Sequence, residues 1–517
     1  MDSVMPAADW IAYHARVAPG RLACIDLVSG REFTYAAFDR RICRLANWLR
    51  AGFAVRRGDR VLVLSKNDSD VFELQFACQR LGAVFVPLNW RLAPDELRFI
   101  AADAAAVVLF HGAEFAPQAL AIRADVPLRG LVRMDNGLPG PYEAGLAAAA
   151  DECASGPGRD SDVWAMIYTS GTTGRPKGAQ ITYRMAFVNA VTLCASFGID
   201  GDSRNLVVLP TFHTGGLNVF ANPVFFAGGV NLVLREFEPA RVVTLLASGG
   251  VSHMLGVPTI HAALAAEPGF EALDPARLRG LAVAGAPCPP ALIERYAVLG
   301  LDLRQCWGMT EAGPLALITP AQASGDRLAS SGLPSMFAQT MIVDADARPV
   351  PAGTVGELLV RGPVVTPGYW NRPEATRDAF APDGWFRTGD AAWRDEAGFH
   401  YIVDRWKDMF ISGGENVYPA EIERVLAQAE GVEDCAVIGM ADEKWGECGL
   451  AFVVPRRGRR PAAQALAAHC ARHLARYKVP RQFVLVEALP RNAAGKVLKT
   501  RLRQSAAAIE IAAEETR

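Results

Sequence analysis

Val61-Leu62-Val63-Leu64 is an unbroken apolar run that predicts a buried strand, and residues 72–81 follow with a helical pattern. Ala83-Val84-Phe85-Val86-Pro87 then predicts a second strand, completing a βαβ unit of the kind that builds a parallel sheet. The rhythm returns through residues 206–209 and 230–234, and again at 281–284. Together these predict a large α/β body with layered parallel sheets. From residue 342 to 365 the texture changes to short strands separated by Pro, Gly and Asp, the pattern of a β-rich subdomain. Beyond Asp404 a third texture begins, with helices at 421–429 and 462–476 and a strand at 436–438. That stretch predicts a small α+β domain. The expected division is 1–404 and 405–517, with a frayed helix after Arg503 and no internal repeat.

Composition changes this picture little. With 51% hydrophobic and 21% charged residues, the chain has the make-up of a folded globular protein rather than a disordered one. A net charge of −2 provides no basic field for nucleic acid or an anionic membrane. The uncharged stretch 214–234 is long enough to mimic a membrane span. It contains Asn218, Asn222, Asn231, Pro223 and several glycines, and so predicts a buried helix, turn and strand. No stable membrane insertion is expected, and without a signal-peptide pattern the expected location is the cytoplasm. Ten cysteines lie scattered with no C-x-x-C pair and no His/Cys cluster, which suits a reducing compartment and neither a zinc site nor a disulfide framework. Lysine occurs only at Lys66, Lys177, Lys407, Lys444, Lys478, Lys496 and Lys499; every other cation is arginine. In such a chain a lysine marks places that suit a slim point charge on a flexible stem.

The candidate chemistry centres on Tyr168-Thr169-Ser170-Gly171-Thr172-Thr173-Gly174-Arg175-Pro176-Lys177-Gly178, which follows the strand-like Val163-Trp164-Ala165-Met166-Ile167. Glycines let backbone N–H groups turn toward an anion, hydroxyls add donors and Lys177 adds charge, a combination suited to a polyphosphate. The spacing is not that of the common P-loop, since Pro176 precedes Lys177 and Gly178 follows it. The plain alternative, a glycine-rich surface turn, rarely carries so long a run of these residues.

At these residues the chain resembles the adenylate-forming superfamily of acyl- and aryl-CoA synthetases, peptide-synthetase adenylation domains and firefly-type luciferases. The resemblance runs from about residue 10 to 503, and further motifs fall in the family's order. Gln305-Cys306-Trp307-Gly308-Met309-Thr310-Glu311 is similar to its second nucleotide motif. The resemblance implies that Trp307 packs on adenine, that Thr310 meets the α-phosphate and that Glu311 holds Mg²⁺. Cys306 and Trp307 depart from the glycine and tyrosine usual there. Gly285-Ala286-Pro287 resembles the segment edging adenine and the acyl pocket, with Ala284 just before it. Asp390 and Arg405 resemble the ribose-binding pair: a carboxylate accepts both hydroxyls, and the guanidinium reaches ribose or phosphate.

His213 stands where the family has an aromatic or His that swings as the carboxylate arrives, and the resemblance implies an acyl pocket lined by Gly216, Asn218, Ala284 and Cys306. Lys496, in Gly495-Lys496-Val497, matches the catalytic lysine of a mobile C-terminal loop, an ammonium that offsets charge developing between carboxylate and α-phosphate. Lys407 matches the hinge, and Gly413-Gly414 the loop passed by the pantetheine arm of CoA. A basic surface loop and a glycine-rich hairpin are the respective plain alternatives.

The implied activity is that of an acyl-CoA synthetase using ATP, Mg²⁺ and coenzyme A. Its substrate would be an apolar or aromatic monocarboxylate, either a hydroxycinnamate-like or a medium-chain fatty acid. The alternative is a stand-alone adenylation enzyme with an acceptor other than CoA. A peptide-synthetase domain is disfavoured, because Phe212 to Val219 lacks the aspartate that would hold an α-amine. A non-catalytic nucleotide binder would not need Lys496, Glu311 and Asp390 together. The expected partners are the small carboxylate and CoA, with a homodimer left open.

Overall fold

The computed structural model describes residues 8–153, 158–169, 176–321, 323, 325–412, 415–442, 445–491 and 497–514, with backbone only at 326, 407, 415, 416 and 507–514. Two compact units emerge. The first comprises Met1–Thr340 and Leu359–Arg387, the second Met341–Leu358 and Thr388–Arg517. Residues 388–404, which the sequence grouped with the N-terminal part, therefore cluster with the C-terminal one.

Two sheets build the first unit. One has six strands, in the order Gly130–Met134, Ala106–Gly112, Arg60–Leu64, Val84–Pro87, Val163–Thr169 and Lys177–Thr182, parallel except for the last pair. The other has nine. Its middle run, Leu303–Met309, Gly280–Val283, His253–Gly256, Arg204–Val207, Val230–Val233 and Leu22–Asp26, is parallel, and antiparallel strands close both ends. Alternation along each strand explains why these segments are apolar throughout. Val61 and Val63 point into one core with Val207 and Val233 of the other sheet, while Leu62 and Leu64 point into a second core. Leu206, Val208 and Leu232 point into a third. Both faces of each sheet are covered, so the few polar side chains on these strands need internal partners, as where Asn205 donates to Asn231 at 2.8 Å.

The helices Tyr35–Phe53 and Ser69–Leu81 contribute to the shared core. Ser69–Leu81 is buried all round, starting at Asp68, which caps it by accepting from Asp70 N, and stopping at Gly82 with φ +64°. The uncharged stretch 214–234 becomes a π-helical turn Gly215–Val219, the helix Ala221–Ala227 and the strand Val230–Val233, nearly all buried. Among the described residues no helix is long and apolar enough to cross a membrane.

In the second unit, Glu415–Val417, Phe410–Ser412, Gly446–Pro455 and Val432–Asp442 form a sheet in that order, and Gln482–Leu485 joins Gly446–Pro455 in parallel. Pro419–Leu426 and Ala463–His473 cover one face around Val437 and Val453, and Lys499–Glu514 covers the other around Ile438 and Phe452. A further sheet is ordered Gln339–Val343, Gly356–Arg361, Phe386–Arg394 and His400–Arg405; its last two strands are antiparallel with Asp390 opposite Arg405.

Candidate active site

The strand Val163–Thr169 ends where the phosphate-loop motif begins, and the chain returns in Lys177–Thr182 with Lys177 opposite Thr169. Ser170, Gly171, Thr172, Thr173 and Gly174 lie outside the described residues. The two ends that are described converge on Glu311. Thr169 Oγ1 donates to Glu311 Oε1 at 2.9 Å, and Tyr369 Oη donates to the same oxygen at 3.2 Å. Lys177 Nζ sits 5.3 Å from the centroid of the Tyr369 ring. Glu311 is only 5% exposed, and its carbonyl accepts from Thr366 N at 2.8 Å. A carboxylate, hydroxyls and an ammonium thus gather at the mouth of the loop. Sequence reasoning missed Tyr369: it sits 58 positions from Glu311, and nothing in the local pattern marks it.

Thr310 and Glu311 occupy the turn between Leu303–Met309 and Gly313–Ile318. The pairing shifts between Trp307 and Met309, a bulge that changes the direction of the side chains beyond it. Gly308 is required there, since a Cβ would lie 2.1 Å from Pro314 O. Trp307 is half-buried opposite Leu317. Gly280–Val283 runs parallel to this strand with Val283 opposite Gln305, so the chain leaves both strands at one edge. Ala284-Gly285-Ala286-Pro287 consequently lies beside Cys306-Trp307-Gly308. Gly285 has φ +87°, Ala286 and Pro287 are exposed, and Cys288 N donates to Gln305 Oε1 at 3.0 Å, which ties the two segments.

Cys306 and Ala284 join Leu209, Val219, Phe220 and Leu255 in one apolar cluster. Burial pushes the Cys306 thiol up to about 12, so it is a neutral packing group rather than a nucleophile. Gly216 packs against the preceding backbone, with no room for a Cβ. The side chain of Asn218 belongs to a buried polar chain. It donates to Thr214 Oγ1 at 3.2 Å and accepts from Asn222 at 2.8 Å, and Asn222 in turn accepts from Gln75 at 3.2 Å. A buried amide needs such partners. His213 N donates to Pro210 O, and the ring reaches solvent beside Phe212. Loss of hydration on its protein-facing sides, followed by the charge of Arg91, lowers its pKa and favours the neutral ring.

In the second unit, Arg405 Nε meets Asp390 Oδ1 at 2.9 Å, and Asp390 N donates to Thr388 Oγ1. Asp404 accepts from Ala420 N at the start of the helix Pro419–Leu426. Lys407 falls in the short 3-10 turn Trp406–Asp408, while Gly414 and Lys496 lie outside the described residues. The flanks of the Lys496 segment are nevertheless fastened. Arg491 bridges Val497, Leu498 N donates to Pro490 O at 2.7 Å, and Lys499 Nζ meets Glu423 Oε1 at 2.8 Å. The same unit holds a recess of about 620 Å³ bordered by Trp445, Cys448, Arg476, Tyr477 and Arg481, which sequence reasoning did not find.

Comparison with known proteins bears on this arrangement. The model of the AMP-binding enzyme family matches residues 11–370, and that of the AMP-binding enzyme C-terminal domain matches 421–496. A feruloyl-CoA synthase of an Amycolatopsis species is 42% identical over 496 residues, covering 96% of this chain and 98% of its own. A long-chain-fatty-acid–CoA ligase of Mycobacterium tuberculosis is 38% identical, covering 95% and 96%. Among solved structures, the o-succinylbenzoate CoA synthetase of Bacillus subtilis, in complex with its acyl-adenylate intermediate, superposes with a TM-score of 0.87 at 30% identity, covering 97% and 98%. With the phosphate-loop ends and the Gln305–Glu311 segment in the family's order, the chain belongs to the AMP-binding enzymes and is a ligase of their acyl-CoA synthetase type.

Proposed function

We propose that the protein activates an apolar or aromatic monocarboxylate with ATP, forming an acyl-adenylate and pyrophosphate, and then transfers the acyl group to CoA with release of AMP. The observation that carries this reading is the Thr169–Glu311–Tyr369 contact beside Lys177, on the same strand-and-turn segment whose Cys306 belongs to an apolar cluster. Hydroxyls and an ammonium suit the polyphosphate, and the cluster suits a carboxylate with an apolar body. Arg304, two residues before Cys306, already donates to Thr319 O and Ser196 O and stacks on Phe197. A second substrate carboxylate would therefore lack a free cation there and incur a desolvation cost of several kcal/mol. Hydroxycinnamate-like and medium-chain acids both fit this description; malonate-like dicarboxylates do not.

Mg²⁺ is compatible with the oxygen donors present. Among the described residues no group of three or more His, Cys, Asp or Glu forms a metal cluster, which suits an ion held by Glu311 together with substrate phosphates. Bound there, it would supply charge neutralisation of the polyphosphate. Asp390 and Arg405 are assigned to the ribose, Thr310 to the α-phosphate, Trp307 and Gly285-Ala286-Pro287 to the adenine, and His213 to steric gating of the carboxylate. Lys496 is assigned to the charge that develops as the α-phosphate is attacked, and Lys407 to the pivot. For the nucleotide end of CoA, the recess at Trp445, Tyr477 and Arg481 offers ring faces for a base and guanidinium groups for phosphates.

The decisive test is CoA-dependent AMP production across a panel of aryl-propenoates, fatty acids of graded length, and dicarboxylates. A profile led by aromatic or medium-chain monocarboxylates is expected. A strong preference for a dicarboxylate would overturn the pocket assignment, and AMP release independent of CoA would overturn the ligase assignment.

A further inference from the structure

Two thiols that the ligase chemistry does not use meet at one buried guanidinium. Cys43 lies on the helix Tyr35–Phe53 and is buried; Cys153 follows the helix Pro141–Ala147 and is partly exposed. Arg80, from the buried helix Ser69–Leu81, directs Nη1 at Cys43 Sγ (2.9 Å) and Cys153 Sγ (3.5 Å). Asp9 and Asp39 hold its other nitrogens. One helical turn after Cys43, Asn47 donates to the carbonyls of Ala150 (2.8 Å) and Glu152 (3.0 Å), and Arg44 pairs with Asp151 at 3.4 Å. These contacts pin the segment carrying Cys153 onto the helix face that carries Cys43.

The two sulfurs flank the same Arg80 nitrogen, which brings the thiols to one side of the guanidinium. The neighbouring Cys43 thiol and then the Arg80 charge lower Cys153 to about 6, although its partial burial opposes them. Cys43 keeps its proton, chiefly because of the neighbouring Cys153 thiol and then burial. By contrast, burial pushes Cys194, Cys306 and Cys435 up to about 12. A partly exposed thiolate beside a cation, with a second thiol on the same guanidinium nitrogen, is the arrangement that reacts with oxidants and then resolves to a disulfide.

We propose that Cys153 and Cys43 form a reversible thiol–disulfide pair that responds to hydroperoxides. The Cys153 thiolate attacks one oxygen of hydrogen peroxide; an S–O bond forms, the O–O bond breaks, and hydroxide leaves. Cys43 then attacks the Cys153 sulfenic acid; the S–S bond forms, the S–O bond breaks, and the hydroxyl departs with the Cys43 proton as water. The two sulfurs lose two electrons in total, and the peroxide gains them. A small-molecule thiol restores the dithiol by exchange. The disulfide would tie the 150–153 segment covalently to the helix Tyr35–Phe53.

The full-length protein, fully reduced and desalted, should be exposed to stoichiometric hydrogen peroxide at neutral pH, alkylated and mapped by peptide mass spectrometry. The expected first product is a Cys43–Cys153 cross-linked peptide, lighter by two hydrogens and lost after dithiothreitol. Iodoacetamide should label Cys153 in the reduced protein about tenfold faster than Cys194 or Cys435, because its larger thiolate fraction outweighs its lower intrinsic nucleophilicity. Cys43→Ala should leave a sulfenic acid on Cys153 that dimedone traps, and Cys153→Ser should remove that adduct. Oxidation of other cysteines first, or labelling of Cys153 no faster than Cys435, would overturn the proposal; both readings come from the unmutated protein.

Discussion

A single oxygen of Glu311 takes hydroxyl donors from Thr169 and Tyr369, and Lys177 rests over the ring that carries the second of them. Tyr369→Phe keeps the ring and removes the donor. A hydrogen bond to a charged group contributes roughly 1.5–3 kcal/mol, so pyrophosphate formation should slow by about tenfold or more with thermal stability little changed. An unaltered rate would make the contact structural only. Lys496→Ala should reduce acyl-adenylate formation by on the order of 10² to 10³ while sparing thioester formation from synthetic acyl-AMP plus CoA. Equal failure with preformed adenylate would assign Lys496 a structural part. Cys306→Gly removes a Cβ and a sulfur from the cluster with Val219 and Leu255. It should extend tolerance to longer or bulkier acids by roughly 0.8 kcal/mol per newly buried methylene, read as kcat/KM over a graded series. An unchanged preference profile would place the acyl group elsewhere.

At the level of elements, the π-helical turn Gly215–Val219 depends on close backbone packing. A Cβ on Gly216 would lie 2.3 Å from Pro210 O and 2.5 Å from Leu209 O, and neither carbonyl can swing aside as a side chain could. On Gly215 the nearest atom would be a Leu209 methyl at 3.3 Å, which can yield. Gly216→Ala should therefore cost about 1–3 kcal/mol and lower activity with every acid, while Gly215→Ala should be nearly silent. Thermal midpoints of the two variants measured side by side decide this; equal midpoints would refute it. The same turn places Asn218 in its hydrogen-bonded chain with Thr214 and Asn222.

For the whole molecule, the packing of helices between the two sheets of the first unit buries an ionic cluster. Arg31 meets Asp26, Asp68, Asp70 and Glu143; Arg41 meets Asp70, Glu73 and Glu143; Arg235 reaches Asp68. Carboxylates outnumber guanidinium groups there. Burial first, and then the like charges of Asp68 and Glu73, hold the Asp70 pKa well above the ordinary range; burial likewise raises Asp68, to about 7. The native state therefore keeps protons that the unfolded chain has already released above about pH 4. Stability from this cluster is present on the acid side and is lost as pH rises through the raised values. Between pH 6 and 8 the thermal midpoint should fall, and Asp70→Asn, whose amide mimics the neutral acid, should flatten that fall. A variant with an undiminished slope would show that Asp70 is charged throughout.

The sequence by itself determined the class of the fold, most of its strands and the family. Apolar runs such as 61–64 and 230–234 record burial on both faces, and the motifs around Thr169, Glu311 and Gly285 are contiguous stretches whose chemistry is local. Only the tertiary structure decided that Tyr369 serves Glu311, that residues 388–404 cluster with the C-terminal unit, and that Cys43 and Cys153 share Arg80. Each of these depends on strand register or helix packing between positions far apart in the chain. The periodicity of a segment reports which face is buried, but not which distant side chain will meet it there.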